Sequence, residues 1–123
     1  MNTPTIPVFY ACDDNFVKYT MVSLQSLIVN ADPSCRYRVH ILHTNISQSM
    51  QQQVLKMEQP HVSICFENVT PYLETISHKL PLRDYYSKTT YYRLFIAEMF
   101  PHYEKAVYID SDTVVQGDIS RLY

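Results

Sequence analysis

The stretch Ala106-Val-Tyr-Ile-Asp-Ser-Asp-Thr-Val-Val115 joins an apolar run to two carboxylates. Residues 106–109 are typical of a buried strand, and Asp110, Ser111 and Asp112 follow it directly. If the strand delivers both carboxylates into the protein interior about 5 Å apart, they repel by about 3 kcal/mol at an effective dielectric near 20. Such a pair needs compensation, and a divalent cation is the simplest candidate.

The composition of the 123-residue chain narrows the classes of protein to which it can belong. An apolar content of 46% is enough for a hydrophobic core in one domain. The net charge of −2, without a basic tract, gives no support to a nucleic-acid partner. We find neither a signal peptide nor an apolar run long enough to span a membrane. The expectation is a cytoplasmic protein with one domain over residues 1–123, and the oligomeric state stays open.

The chain contains a single glycine, Gly117, which limits the ways in which it can bind phosphate. Glycine-rich nucleotide-binding loops need several glycines, because their backbone approaches the phosphate closely. A phosphate bound here must therefore be neutralised in another way, and a metal ion held by Asp110 and Asp112 would do so. The three cysteines lack metal-ligand spacing and the five histidines are scattered, so we assign neither set a ligand role.

Strands and helices alternate along the chain, which predicts an α/β fold with a mostly parallel sheet. We expect strands at residues 7–12, 38–43, 62–67 and 106–109. Helices are expected at residues 17–31, between the N-cap Ser47 and Pro60, and at residues 90–100.

The burial patterns of the strands predict their order in the sheet. The first and fourth strands are apolar on both faces and should be central, whereas the third strand alternates and should lie at an edge. This fits the doubly wound order 3-2-1-4 of Rossmann-like nucleotide-binding folds, in which ligands bind at the carboxyl ends of the strands where the order reverses. That point lies between the first and fourth strands, which end in the two acidic clusters.

Two further groups of residues are candidates for ligand binding. Asp13, Asp14 and Asn15 suit hydrogen bonding to a base or a ribose, although Asp14 or Asn15 would also serve as a helix cap. Phe16 offers a ring face to a base, or packs in the core as aromatics at helix starts more often do. Arg93 lies among apolar residues and needs an anion, either a carboxylate of the chain or a phosphate of a ligand.

Three blocks of sequence, found in one order, resemble those of a known enzyme family. They are residues 10–15 (Tyr-Ala-Cys-Asp-Asp-Asn), 89–94 (Thr-Thr-Tyr-Tyr-Arg-Leu) and 107–114 (Val-Tyr-Ile-Asp-Ser-Asp-Thr-Val). Together they resemble the retaining family 8 glycosyltransferases, which include bacterial lipopolysaccharide galactosyl- and glucosyltransferases and glycogenin. The resemblance implies a GT-A fold, a UDP-sugar donor, a saccharide acceptor of the glycan or lipopolysaccharide type, and Mn²⁺ or Mg²⁺ as cofactor.

The resemblance also implies roles for individual residues. Asp110 and Asp112 correspond to the DxD motif that binds the metal ion, and the backbone of Ser111 faces the ribose. Arg93 corresponds to a basic residue that contacts the donor, and it is the candidate catalytic residue. The remaining matches concern the nucleoside: Ala11, Asp13 and Asn15 contact uracil and ribose, and Phe16 stacks on the base.

Members of that family continue well beyond the length of this chain. Their later half supplies a histidine as third protein ligand of the metal, an acidic or amide residue near the anomeric carbon, and the acceptor site. We therefore expect an N-terminal half that carries the donor half-site, that alone binds donor at most weakly and is inactive, and that leaves a sheet edge uncovered beside the fourth strand.

Two alternatives stay open at the level of sequence. Asp110-x-Asp112-x-Val114 also fits the aspartate-nucleophile motif of haloacid dehalogenase-like phosphatases, in which the first aspartate attacks phosphate and the second is acid and base. That motif normally ends the first strand of its domain, whereas three predicted strands precede it here. The other alternative is a non-catalytic module that binds a nucleotide sugar.

Overall fold

A parallel β-sheet organises the computed structural model, which describes residues 5–76 and 95–123. Its strands are β1 (Thr5–Ala11), β2 (Arg36–His43), β3 (Val62–Asn68) and β4 (Val107–Tyr108). They are arranged in the order β3-β2-β1-β4, and the pairings between them are all parallel. The predicted α/β class and the predicted strand order are both confirmed.

Helices follow the strands in the described residues. They are α1 (Val17–Asn30), α2 (Gln48–Leu55), α3 (Thr70–Ile76) and α4 (Ile96–Met99), with a 3-10 helix at Ile119–Arg121. α2 begins where the sequence predicts, since the Ser47 hydroxyl accepts a hydrogen bond from the Met50 N–H at 3.3 Å. It ends at Leu55, before the predicted end at Pro60. None of these helices combines the length and apolar character needed to cross a bilayer.

β1 lies at the centre of the core, as its continuous apolar sequence predicts. Its residues from Ile6 to Ala11 are all buried. Because successive side chains of a strand point to opposite faces, β1 supplies both core layers. The layer that includes α1 and α2 contains Val8, Tyr10, Leu24, Leu27, Val39, Ile41 and Val54. The opposite layer contains Phe9, Ala11, Leu42 and Val69, bordered by Leu73, Ile96, Phe100 and Tyr103.

The two ends of the described sheet are the strands that the predicted order places there. β3 lies at one end, and its buried Val62 and Ile64 alternate with half-buried residues, as expected for an edge strand. β4 lies at the other end, is shorter than the predicted strand at 106–109, and is only half-buried. β4 is therefore the end strand of the described sheet, as the predicted order and the expected uncovered edge beside it require, and a central position in the whole protein stays a prediction. Apolar residues allow a strand to be buried, but no described strand pairs with the outer side of β4.

The segment after β4 returns along the sheet toward the amino end of β2. The hydroxyl of buried Tyr37 donates a 2.5 Å hydrogen bond to Asp118, and Ile119 is buried in the core. Burial raises the pKa of Tyr37 to about 12. Burial alone would raise the pKa of Asp118 as well, but hydrogen bonds from Ser120 and Tyr37 outweigh it and lower that pKa. These contacts attach the last residues of the chain to its core.

Candidate functional site

The candidate site lies at the carboxyl ends of β1 and β4, the edge at which the sequence predicts ligand binding. Pairing of the two strands ends at Phe9 and Tyr108, and the Ile109 N–H then donates to the Phe9 carbonyl at 2.9 Å. The acidic segments at 13–16 and 110–113 follow these strand ends directly. Both segments therefore leave the sheet at the same edge.

Ser111 joins the two segments. Its hydroxyl donates a 3.0 Å hydrogen bond to the Ala11 carbonyl, across a separation of 100 positions in the sequence. Two of the three sequence blocks on which the family resemblance depends are thus in direct contact. The Ser111 hydroxyl proton is thus used within the protein, and the expected role of the Ser111 backbone toward a ribose stays a prediction.

The acidic turn at 110–113 is ordered by Thr113. The Thr113 N–H donates to the Asp110 carbonyl at 3.2 Å, and the Thr113 hydroxyl donates to the same oxygen at 2.7 Å. The side chains of Asp110 and Asp112 are both exposed. The expectation of an interior carboxylate pair is therefore wrong. Because both carboxylates are exposed, water screens the repulsion between them, and this repulsion does not by itself require a cation.

The exposed pair nevertheless fits one kind of metal site. Within residues 5–76 and 95–123, no three His, Cys, Asp or Glu side chains come together as a site of their own. Mg²⁺ is commonly bound through one or two carboxylates together with substrate phosphates and water, and Mn²⁺ accepts the same hard oxygen ligands. Asp110 and Asp112 therefore suit a cation that is shared with a bound diphosphate.

The loop after β1 is ordered by Asp13. One oxygen of its carboxylate accepts hydrogen bonds from the Asn15 N–H at 2.9 Å and the Phe16 N–H at 3.1 Å. Phe16 occupies the N-cap position of α1, and that end of the helix has no side-chain cap. The alternative in which Asp14 or Asn15 caps α1 is therefore not observed. Both of these side chains are exposed, whereas Asp13 is half-buried.

Phe16 and Tyr19 form an exposed aromatic pair at the start of α1. The Phe16 side chain is 50% exposed and that of Tyr19 is 56% exposed, with their ring centroids 5.8 Å apart. Phe16 is thus not a core residue, and its ring is accessible to a planar ligand. Sequence reasoning missed Tyr19, although aromatic residues three positions apart lie on one side of a helix.

Cys12 lies beside Asp13 but has the properties of a core residue. It is buried, and burial raises the pKa of its thiol to about 11. A hydrogen bond with Thr20 opposes part of this rise. The thiol is therefore protonated at neutral pH, and a protonated thiol is a poor nucleophile and metal ligand.

A buried histidine, His40, lies with its partners on the face of the sheet opposite α1, and the sequence analysis did not predict this cluster. The ring nitrogens of His40 are 3.1 Å from a Glu67 carboxylate oxygen and 2.8 Å from the Tyr103 hydroxyl. The ring stacks on Phe9 with centroids 4.7 Å apart. Burial lowers the pKa of His40, and Glu67 opposes part of that change. The cluster packs α4 and the segment after it against the sheet.

The structure describes all predicted site residues except one. Arg93, predicted to contact the donor, lies outside the described residues together with the rest of the block at 89–94. Its role stays a prediction. The other predicted residues all lie at or directly after the carboxyl ends of β1 and β4: Ala11, Asp13, Asn15, Phe16, Asp110, Ser111 and Asp112.

The fold and the two joined sequence blocks agree with a comparison of the chain with known protein families. The sequence profile of glycosyl transferase family 8 matches residues 7–123. The chain belongs to this family, as its sequence blocks predict. The match includes Asp110 and Asp112, the two residues on which the phosphatase alternative depended.

Individual relatives support the same assignment. The chain is 27% identical over 120 residues to a Haemophilus influenzae protein described as "Putative glycosyltransferase", an alignment covering 97% of this chain and 35% of that protein. The bifunctional glycosyltransferase WbbM, in its apo form, matches with a TM-score of 0.82 and 32% identity, over 96% of this chain and 20% of WbbM. The galactosyltransferase LgtC, in complex with donor and acceptor sugar analogues, matches with a TM-score of 0.71 and 25% identity.

These matches confirm the GT-A type of the fold and define how much of it is present. The match to LgtC covers 95% of this chain and 41% of LgtC. The chain therefore spans well under half the length of each of these three relatives.

Proposed function

We propose that this chain is the donor-binding part of a metal-dependent, retaining glycosyltransferase that transfers a hexose from a UDP-sugar to a saccharide. The observation that carries the proposal is the hydrogen bond from Ser111 to Ala11. It joins the segment predicted to face the nucleoside to the segment predicted to face the diphosphate. Membership in glycosyl transferase family 8 supports the reaction class.

The acidic turn would face the diphosphate end of the donor. Asp110 and Asp112 are exposed oxygen ligands at a sheet edge, and they would hold Mn²⁺ or Mg²⁺ together with phosphate oxygens. Such a cation, when bound, neutralises the diphosphate leaving group. The single glycine of the chain supports this assignment, because a glycine-rich phosphate loop cannot take its place.

The loop after β1 would face the nucleoside end. Carboxylate and amide oxygens of Asp13 and Asn15 accept hydrogen bonds from base N–H and ribose hydroxyl groups. The Ala11 carbonyl already accepts from Ser111, and a carbonyl oxygen has a second lone pair for a ligand. Phe16 presents an exposed ring on which uracil would stack. Arg93 would add positive charge near the transferred sugar or the phosphates.

We assign the acceptor site and the transfer step to the whole protein. LgtC was solved with donor and acceptor sugar analogues, and this chain matches 41% of it. We infer a saccharide acceptor for the whole protein, in the cytoplasm. The 123 residues by themselves are expected to bind donor without transferring sugar.

Calorimetric titration of the chain with UDP, in Mn²⁺ or in EDTA, tests the proposal. We expect UDP binding that depends on Mn²⁺. Asp112→Asn should weaken this binding by about 10- to 100-fold or more, because loss of a group that only supports a metal ligand already costs that much. Glu104→Gln is the matched control, since it removes an exposed carboxylate outside the site. Binding that is equally tight in EDTA, or no binding at all, would contradict the proposal.

A further inference from the structure

The residue that follows the acidic turn is attached to α1 by two side chains. The Val115 N–H donates a 2.7 Å hydrogen bond to the Ser26 hydroxyl. The Val115 carbonyl accepts a 2.9 Å hydrogen bond from the Asn30 side-chain amide. Both backbone polar groups of one residue are therefore satisfied by one side of α1, across 89 and 85 positions of sequence.

The two anchoring side chains are themselves held by the helix. The Ser26 hydroxyl donates to the Ser23 carbonyl at 2.5 Å, which turns its lone pairs toward the Val115 N–H. The second N–H of the Asn30 amide donates to the Ser26 carbonyl at 2.8 Å. Bonds within α1 thus orient the Ser26 and Asn30 side chains for Val115, so that little side-chain freedom is lost when they bond to it.

The backbone between 109 and 115 is consequently held at both ends. At one end the Ile109 N–H bonds to β1, and at the other Val115 bonds to α1. Within the described contacts, the carboxylates of Asp110 and Asp112 accept no hydrogen bond of their own. Among residues 5–76 and 95–123, what holds the two carboxylates is therefore the backbone that carries them, and that backbone is held by its bonds to β1 and α1.

We propose that Ser26 and Asn30 are positioning residues for the metal-binding pair Asp110 and Asp112. They touch neither carboxylate, and they act by holding the peptide groups of Val115, three residues beyond Asp112. The proposal rests on the proposed function, because it assumes that the two carboxylates share a cation with a diphosphate.

The test compares two serine-to-alanine variants of the full chain. Ser26→Ala removes the acceptor of the Val115 N–H, whereas Ser47→Ala removes the cap of α2, a change of the same size that does not contact the turn. Calorimetry with UDP and Mn²⁺ measures ligand affinity, and amide hydrogen exchange by NMR measures the order of the Val115 backbone. Asn30→Leu removes the second bond, and Ser26→Thr keeps the hydroxyl.

We expect Ser26→Ala and Asn30→Leu each to raise the Kd for UDP with Mn²⁺ by about threefold to tenfold. This is less than the about 10- to 100-fold loss typical of removing a group that bonds a metal ligand directly. Exchange of the Val115 amide should accelerate in Ser26→Ala, while Ser47→Ala should keep the affinity of the unmodified chain and Ser26→Thr should approach it.

The failure of this inference differs from the failure of the proposed function. If the unmodified chain binds UDP with Mn²⁺ and Ser26→Ala binds equally well despite faster exchange at Val115, the positioning role is overturned and the proposed function stands. Equal losses in Ser26→Ala and Ser47→Ala would also overturn it, because they would reflect stability alone. If the unmodified chain does not bind, both conclusions fall.

Discussion

Tyr10 and Ser23 form a buried hydroxyl pair, and removing one hydroxyl should destabilise the protein because it leaves the other without a hydrogen-bond partner. The two hydroxyl oxygens are 2.8 Å apart, and both residues are completely buried. The pair joins β1 to α1, two of the elements around the candidate site. Burial raises the pKa of Tyr10 to about 12, because the environment disfavours a charged phenolate. In such an environment each hydroxyl depends on the other for a polar partner.

The magnitude follows from what each substitution leaves behind. Tyr10→Phe leaves the Ser23 hydroxyl without its partner, and Ser23→Ala leaves the Tyr10 hydroxyl without its partner. An unsatisfied buried polar group costs about 1–3 kcal/mol, so each single variant should lose about that much stability. The double variant leaves neither group unpaired, and its loss should fall below the sum of the single losses by about 1–2 kcal/mol.

Urea unfolding, followed by circular dichroism, measures these free energies in a double-mutant cycle. Ser34→Ala is the control, because it removes an exposed hydroxyl that bonds to the nearby exposed Asp32, and it should change stability by less than about 0.5 kcal/mol. Additive losses in the cycle, or single losses no larger than that of the control, would refute the mutual dependence of the two hydroxyls.

Two further predictions follow from the burial of titratable groups. Burial lowers the pKa of His40 and His43 below the usual 6.5, so the unfolded chain binds more protons below that pH than the folded chain does. The free energy of unfolding should therefore drop as the pH falls through 6.5, by at most about 1.4 kcal/mol per pH unit for each histidine, until the folded-state pKa values are reached. Urea unfolding at about pH 7.5 and about pH 5.5 measures this, and greater stability at the lower pH would contradict it. Burial also raises the pKa of Cys12 to about 11, whereas Cys35 and Cys65 are half-buried, so a disulfide reagent should modify Cys35 and Cys65 first. Peptide mapping by mass spectrometry identifies the modified thiols, and early labelling of Cys12 would be the opposite result.

The strand order was predictable because burial leaves a local mark on the sequence. Residues 6–11 of β1 are apolar without interruption, and this part of the strand is buried on both faces. Alternation in β3 marks an edge strand in the same way. The fourth strand shows the limit of this mark: apolar residues at 106–109 show that a strand can be buried, but they do not specify the elements that would cover it.

The contacts that hold the candidate site together were beyond the reach of the sequence. Ser26 and Asn30 are small polar residues four positions apart on a helix, a spacing typical of a solvent-facing side. Their partner is the backbone of Val115. Because every residue has backbone peptide groups, the sequence does not show which residue is the partner. The Ser47 cap could be predicted, because its partner lies only three residues away. Local bonds leave a sequence pattern, whereas bonds to a distant backbone do not.

α1 connects the two ends of the candidate site through one rigid body. It begins directly after the Asp13 turn, and toward its other end it holds Val115 through Ser26 and Asn30. A helix of 14 residues is about 21 Å long and bends little over that distance. The helix thus links the loop after β1 to the backbone that follows the acidic turn, and it does so independently of the direct contact between Ser111 and Ala11. Any shift of α1 would therefore be transmitted to both segments at once, and the two should move together rather than independently.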